Sequence, residues 1–183
     1  SLTAEPVRSA TYEAIDLARR AGAVITYDPN YRASLWTGKD EAVRFMRSLI
    51  ATADIMKVSD EELPLLTGET EPEAAADVLA DQGVRIVAVT LGKDGAYVRV
   101  GKDGRYVPGF SVNAVDTTGA GDAFFGGFLS RFLASGKLLK EVSLDDGADF
   151  ARFGNATASL CVERRGGIPA MPKLADVLVR MNV

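Results

Sequence analysis

Short β-branched runs alternating with helical runs predict an α/β fold, with a mainly parallel sheet and helices on both faces. The early strand-like runs also end at loops of turn residues, Asp28-Pro29-Asn30 after the first and Leu91-Gly92 after the third. Finally, 183 residues with 47% apolar and 25% charged side chains suit one core rather than several. Residues 1–183 are therefore expected to form a single α/β domain.

From Thr3, the spacing of Val7, Ala10, Ala14, Ile15, Leu17 and Ala18 predicts a helix capped near Thr3 or Ala4, with Pro6 in its first turn and Gly22 at its end. Residues 23–27, AVITY, read as a short buried strand. A second helix is expected over 39–52 and a second strand over 54–58. Ser59 begins a short helix ending at Gly68. Thr70 and Glu73 have capping-box spacing for a helix through about Gln82. VRIVAVT, residues 84–90, is the most strand-like run in the chain.

The rhythm then changes. Asp94-Gly95 and Asp103-Gly104 punctuate runs at 96–100 and 106–107, predicting a hairpin or meander. Three helices follow, over 120–134, 144–162 and 173–181.

Composition excludes several kinds of chemistry. There is no His, so imidazole bases, Ser-His or Cys-His pairs and His-containing zinc sites are absent. Acid-base work falls to carboxylates, Lys or Tyr. The 21 basic and 25 acidic residues give a net charge of −4 and are spread along the chain, with no basic stripe for nucleic acid. Cys161 has no partner for a disulfide. It reads as a small buried apolar residue, which suits a cytoplasmic protein. No run reaches the length of a membrane span, and the first residues lack a signal-peptide layout. The chain opens on Ser1 and almost at once enters a helical pattern, so a removed or absent N-terminal portion is expected.

The most informative segment is Val115-Asp116-Thr117-Thr118-Gly119-Ala120-Gly121-Asp122, which leads into an apolar helix. A glycine-rich helix start offers free N–H groups and the positive end of the dipole to an anion. Asp122 places a carboxylate beside it. An ordinary cap would account for Asp122, but not for the glycines, threonines and Asp116 together. The turn is not a Walker loop, because none of the four Gly-Lys pairs precedes Ser or Thr. Nor is it a G-x-G-x-x-G fingerprint, because Phe124 occupies the third glycine position.

DTTGAGDAFFGGFL resembles the C-terminal signature of the ribokinase-like (PfkB) carbohydrate kinases. DPNYRASLW, KVSDEELPLLTGE and VTLGKDGAYV resemble, in order, its fructokinase branch. The likeness runs from the first residues to about Pro172. It implies a ribokinase-like three-layer α/β/α sandwich with the N-terminal strands and β lid missing, so that 1–183 form the C-terminal, nucleotide-binding and catalytic portion. Removing those strands should uncover an apolar sheet edge and helix faces, leaving an isolated chain unstable or prone to associate.

The resemblance also implies roles. Asp122 is the general base, with Gly119, Ala120 and Gly121 as backbone donors to the transferring phosphoryl group. Thr90 reaches nucleotide phosphate or ribose, Gly92 lets the nucleotide lie close, and Asn155 lies beside adenine; read without the resemblance, Asn155 is a solvent-facing polar residue on a helix. Arg32 and Asn30 face the sugar, while Trp36 packs. The family's N-x-x-E motif falls on Ser59 to Glu62. Ser59 departs from it and reads as a cap, and Glu62 holds a magnesium-bound water. Asp116 and Thr118, with carbonyls of Cys161, Arg164 and Gly166, match a monovalent-cation site suited to K+.

The implied activity is ATP-dependent, Mg2+-assisted phosphorylation of a sugar primary hydroxyl, with fructose to fructose 6-phosphate leading and 2-keto-3-deoxygluconate or ribose as alternatives. A homodimer is implied for the full-length form. Two readings of other classes remain: a nucleotide-binding fragment inactive without an N-terminal part, and a structural or regulatory domain that keeps the fold without the chemistry.

Overall fold

The computed structural model describes residues 2–182, so Ser1 lies outside the described residues. Five strands form one sheet in the order β1-β2-β3-β4-β5. The chain divides into two compact units, Ser1–Ala88 and Val89–Val183. The division falls within β3 (Ile86–Thr90).

The first unit contains α1 (Val7–Arg20), β1 (Thr26–Tyr27), α2 (Lys39–Ser48), β2 (Ile55–Ser59), α3 (Leu63–Leu66) and α4 (Pro72–Asp81). β1 runs parallel to β2, with Thr26 opposite Ile55 and Tyr27 opposite Met56. Met46, Ile50, Ile55, Met56, Val58, Leu63, Leu79 and Ile86 are fully buried.

Several boundaries differ from expectation. α1 starts at Val7 with Pro6 as N-cap, rather than near Thr3. Pro6 has no N–H to continue a helix backwards, and the Leu2 and Thr3 carbonyls accept from the Arg8 guanidinium instead, at 2.7 and 3.3 Å. The predicted buried strand at 23–27 shrinks to Thr26–Tyr27 and is not buried. α1 likewise buries none of its residues, and Val7, Leu17 and Val24 are exposed. The second helix ends at Ser48. Thr52 bonds to the Leu49 carbonyl through both its N–H and its hydroxyl, tightening Ile50–Thr52 into a 3-10 turn. The capping box at Thr70 does not form, because Pro72 fixes the first turn and makes Glu71 the N-cap.

The second unit contains β4 (Gly95–Val100), β5 (Asp103–Pro108), α5 (Ala120–Ala134), α6 (Leu144–Val162) and α7 (Leu174–Met181). β4 and β5 are antiparallel, with Tyr97 opposite Tyr106. The expected hairpin is present, but its turn lies at Gly101, in the left-handed region at φ 62°. Asp103-Gly104 belong to β5. α6 packs on both strands and on α5 and α7. The α5 to α6 contact is tight: a Cβ on Gly154 would lie 2.8 Å from the Phe124 carbonyl, so glycine lets the backbones approach. Phe124, Phe128, Phe132 and Phe150 fill the space around it. Among the described residues, no helix is long and apolar enough to cross a membrane.

Candidate active site

The start of α5 carries the most distinctive geometry in the second unit. Gly119 is the N-cap in the left-handed conformation, at φ 80°. A Cβ there would also come within 3.1 Å of the Gly167 Cα. Ala120, expected among the anion donors, already donates its N–H to the Thr117 carbonyl at 3.1 Å. Among the described residues, the N–H groups of Gly119, Gly121 and Asp122 have no protein acceptor. The free donors are thus Gly119, Gly121 and Asp122 itself. The Asp122 carboxylate is exposed and makes no hydrogen bond or ion pair among the described residues, which leaves it open to accept a proton.

Asp116 lies behind this turn. Its Oδ1 accepts from the Thr118 N–H and its Oδ2 from the Gly166 N–H, each at 2.9 Å. The Asp116 and Val115 N–H groups reach the Val162 carbonyl, and Cys161 Sγ lies 3.9 Å from the Thr118 carbonyl. The predicted cation-site residues Asp116, Thr118, Cys161, Arg164 and Gly166 are therefore drawn into one loop cluster, with Arg164 N–H donating to the Cys161 carbonyl at 3.2 Å. Cys161 is fully buried, as expected, and burial pushes its thiol pKa up.

The Gly166 N–H, followed by that of Thr118, holds the Asp116 carboxyl down at about 2, from an ordinary 3.8. A depressed pKa means that this carboxylate favours the folded state above pH 3.8, and that the contribution disappears as pH falls from there toward 2. A 13C carboxyl titration should therefore show Asp116 still ionised at pH 3.5. A midpoint near 4 would refute the anchoring of the Gly166 loop.

Beside the turn is a cavity of about 540 Å3 lined by Gly92, Lys93, Phe110, Ser111, Thr117, Ala120, Asn155 and Ser159, among others. Asn155 is not solvent-facing. It is 6% exposed and its Nδ2 donates to the Val107 and Pro108 carbonyls, both at 3.1 Å. Gly92, at φ 57°, opens the same cavity. Thr90 is half-buried at the end of β3 and does not line it. Sequence reasoning missed Lys93, Phe110, Ser111 and Ser159. Lys93 lies within the VTLGKDGAYV motif, and Phe110 and Ser111 in a short Gly-Phe-Ser run after β5.

In the first unit, a cavity of about 490 Å3 is lined by Tyr27, Asp28, Pro29, Asn30, Arg32 and Trp36, among others. Trp36 packs as expected, stacked on Phe45 with ring centroids 6.3 Å apart. Asn30 and Arg32 are exposed. Glu62 is 6% exposed: Oε1 accepts from the Tyr31 N–H at 2.7 Å, and Oε2 accepts from both Ser59 N–H and Oγ, at 2.9 and 3.0 Å. The Ser59 capping box is therefore present. Each carboxylate oxygen has two lone pairs, so one on Oε1 stays open. Burial, together with the Glu62 and Asp28 carboxylates, pushes the Tyr27 phenol up. Among the described residues, no three His, Cys, Asp or Glu side chains form a metal cluster.

The pattern described as "pfkB family carbohydrate kinase" matches residues 1–174. The chain is 38% identical over 179 residues to the probable fructokinase-5 of Arabidopsis thaliana, a match covering 96% of this chain and 54% of that protein. Among solved structures, it resembles fructokinase from Vibrio cholerae O395 in its fructose, ADP and calcium ion bound form, with TM-score 0.90 and 32% identity over 98% of this chain and 57% of the other. Aminoimidazole riboside kinase from Salmonella enterica, complexed with aminoimidazole riboside and an ATP analog, superimposes with TM-score 0.84 at 31% identity, covering 100% of this chain and 60% of the other. The chain thus spans about half the length of the curated relatives it matches.

Proposed function

Since this chain belongs to the pfkB family of carbohydrate kinases, with their ribokinase-like, mainly parallel α/β fold, we propose that it carries out ATP-dependent phosphorylation of a sugar primary hydroxyl, fructose to fructose 6-phosphate first among candidates. The observation that carries this reading is the start of α5, where unpaired N–H donors stand next to an unpartnered Asp122 carboxylate.

In this reading, Asp122 takes the proton of the sugar hydroxyl as its oxygen forms a bond to the γ-phosphorus. The bond from that phosphorus to the bridging oxygen breaks, and ADP leaves with the electron pair. The N–H groups of Gly119, Gly121 and Asp122 stabilise the equatorial oxygens of the transferring group, a task that is mostly positioning and charge neutralisation. The nucleotide base occupies the 540 Å3 cavity, whose wall Asn155 holds in place, with Gly92 allowing close approach and Thr90 reaching phosphate or ribose. In the first unit, Arg32 and Asn30 contact the sugar.

Mg2+, when bound, neutralises phosphate charge. Glu62 fits it only through a water on the open lone pair of Oε1. The Asp116 carboxylate and the carbonyls of Thr118, Cys161, Arg164 and Gly166 are hard oxygen donors that suit K+, a role distinct from the base and one that sets the position of the turn.

A coupled ADP-release assay tests the reading across fructose, ribose, 2-keto-3-deoxygluconate and aminoimidazole riboside. The highest kcat/KM is expected with fructose. A clear preference for another sugar moves the substrate. ATP binding without any sugar-dependent ADP release favours a nucleotide-binding fragment instead.

A further inference from the structure

The first unit contains an ion pair, Lys57 with Asp28, that the chemistry above does not use. Lys57 lies at the centre of β2 and is 5% exposed, between the fully buried Met56 and Val58. Its Nζ donates to both Asp28 oxygens, at 3.3 and 3.2 Å. Asp28 follows β1, and its Oδ1 also accepts from the Asn30 N–H at 3.1 Å. The next N–H, that of Tyr31, donates to Glu62 Oε1 at 2.7 Å. Between those two anchors, Asn30 takes a left-handed conformation at φ 47°. A non-glycine residue holds such a conformation when its surroundings over-determine it, and the half-buried Asp28 and buried Glu62 carboxylates do so here.

Arg32 comes next. It is exposed, and its Nη1 donates to the Tyr31 carbonyl at 3.0 Å. The N–H of the Tyr31 residue is thus fixed by Glu62, while its carbonyl orients the guanidinium. A chain of contacts runs from Lys57 through Asp28 to Asn30, and a second from Glu62 through Tyr31 to Arg32. A buried ion pair of this kind adds little net stability over well-packed apolar side chains. What it supplies is a fixed loop geometry.

We propose that Lys57 is a positioning residue for sugar recognition: through Asp28 it locks the Asp28-to-Arg32 loop in the shape that presents the Arg32 guanidinium to the sugar oxygens. This rests on the reading in which Arg32 contacts the sugar. Lys57 itself touches no substrate.

A double-mutant cycle in active enzyme tests it, with Lys57→Met, Arg32→Ala and the double variant measured for kcat and for KM toward fructose and ATP. Lys57→Met should raise the fructose KM about 10- to 100-fold, as misplacement of a positioning group does, with the ATP KM within about twofold. Arg32→Ala should have a similar effect, and the double variant should be no worse than the poorer single, because both changes remove one interaction. Multiplying effects, or equal rises in both KM values, overturn the proposal. Asp28→Asn keeps the side-chain shape and runs through the same cycle should Lys57→Met fail to fold. An unchanged fructose KM in Arg32→Ala refutes the sugar contact itself, and the proposal with it. That outcome differs from an additive cycle, which refutes the positioning alone.

Discussion

In active enzyme, Asp122→Asn lowers kcat by about 10²- to 10⁴-fold, the range for a lost general base, while KM for ATP changes little. Asn is close in shape to Asp, so α5 and its Gly119 N-cap should remain. The free N–H groups of Gly119, Gly121 and Asp122 are backbone groups and also survive the change. The variant therefore separates proton abstraction from phosphoryl stabilisation. Residual activity above the uncatalysed rate is expected from the turn alone, as electrostatic stabilisation continues without the base. Single-turnover kinetics with saturating ATP and fructose measures the effect directly on the chemical step. Near-normal phosphorylation by the variant would remove Asp122 from the base role, and equal losses in kcat and ATP affinity would assign it to nucleotide binding.

How far such roles can be read from sequence depends on whether their determinants are local. The bounds of α5 and α6 were legible because helix starts and stops are written within a turn of sequence: Gly119 before α5, and Ser143 before α6, where the serine hydroxyl accepts from the Asp146 N–H. Residues 23–27 misled because an apolar run describes what a strand would bury, while its pairing depends on distant partners. Thr26 and Tyr27 pair with β2, and Ile25 is held by Asp54 and Ile55 without extending the strand. Asp103-Gly104 looked like a turn dipeptide, yet the hairpin reverses at Gly101, whose left-handed φ meets the same demand two residues earlier. The anion turn was legible as a motif, but not which N–H groups it leaves free, since the Ala120 bond to Thr117 depends on how tightly the turn closes. Lys57 read as an ordinary strand residue because Asp28, which makes its burial possible, lies 29 positions away.

Asn155 shows the same dependence on distant partners and carries the second large expected effect. Its helix neighbours Gly154, Ala156 and Ala158 say only that the surface is small, whereas its carbonyl partners, Val107 and Pro108, are 48 and 47 residues distant. Asn155→Leu preserves approximate volume but removes the amide donor that the Val107 and Pro108 carbonyls share. A buried polar group left unsatisfied costs about 1–3 kcal/mol, which for a chain of this length lowers Tm by roughly 2–4 °C per kcal/mol. Asn155→Asp should be worse, since it turns a second acceptor toward two carbonyl oxygens in a site that disfavours charge. A solvent-facing residue would tolerate both changes, so two unaltered melting curves would refute the buried bridge. In the proposed reading, where this cavity takes the nucleotide base, the functional consequence falls on ATP. Val107 and Pro108 lead directly into Gly109, Phe110 and Ser111, which wall the 540 Å3 cavity. Releasing that end of β5 should raise KM for ATP about tenfold or more and leave KM for fructose nearly unchanged, the reverse of the pattern expected for Lys57→Met. Isothermal titration with ATP and the steady-state assay together resolve the two, and a rise confined to the fructose KM would place Asn155 on the wrong substrate.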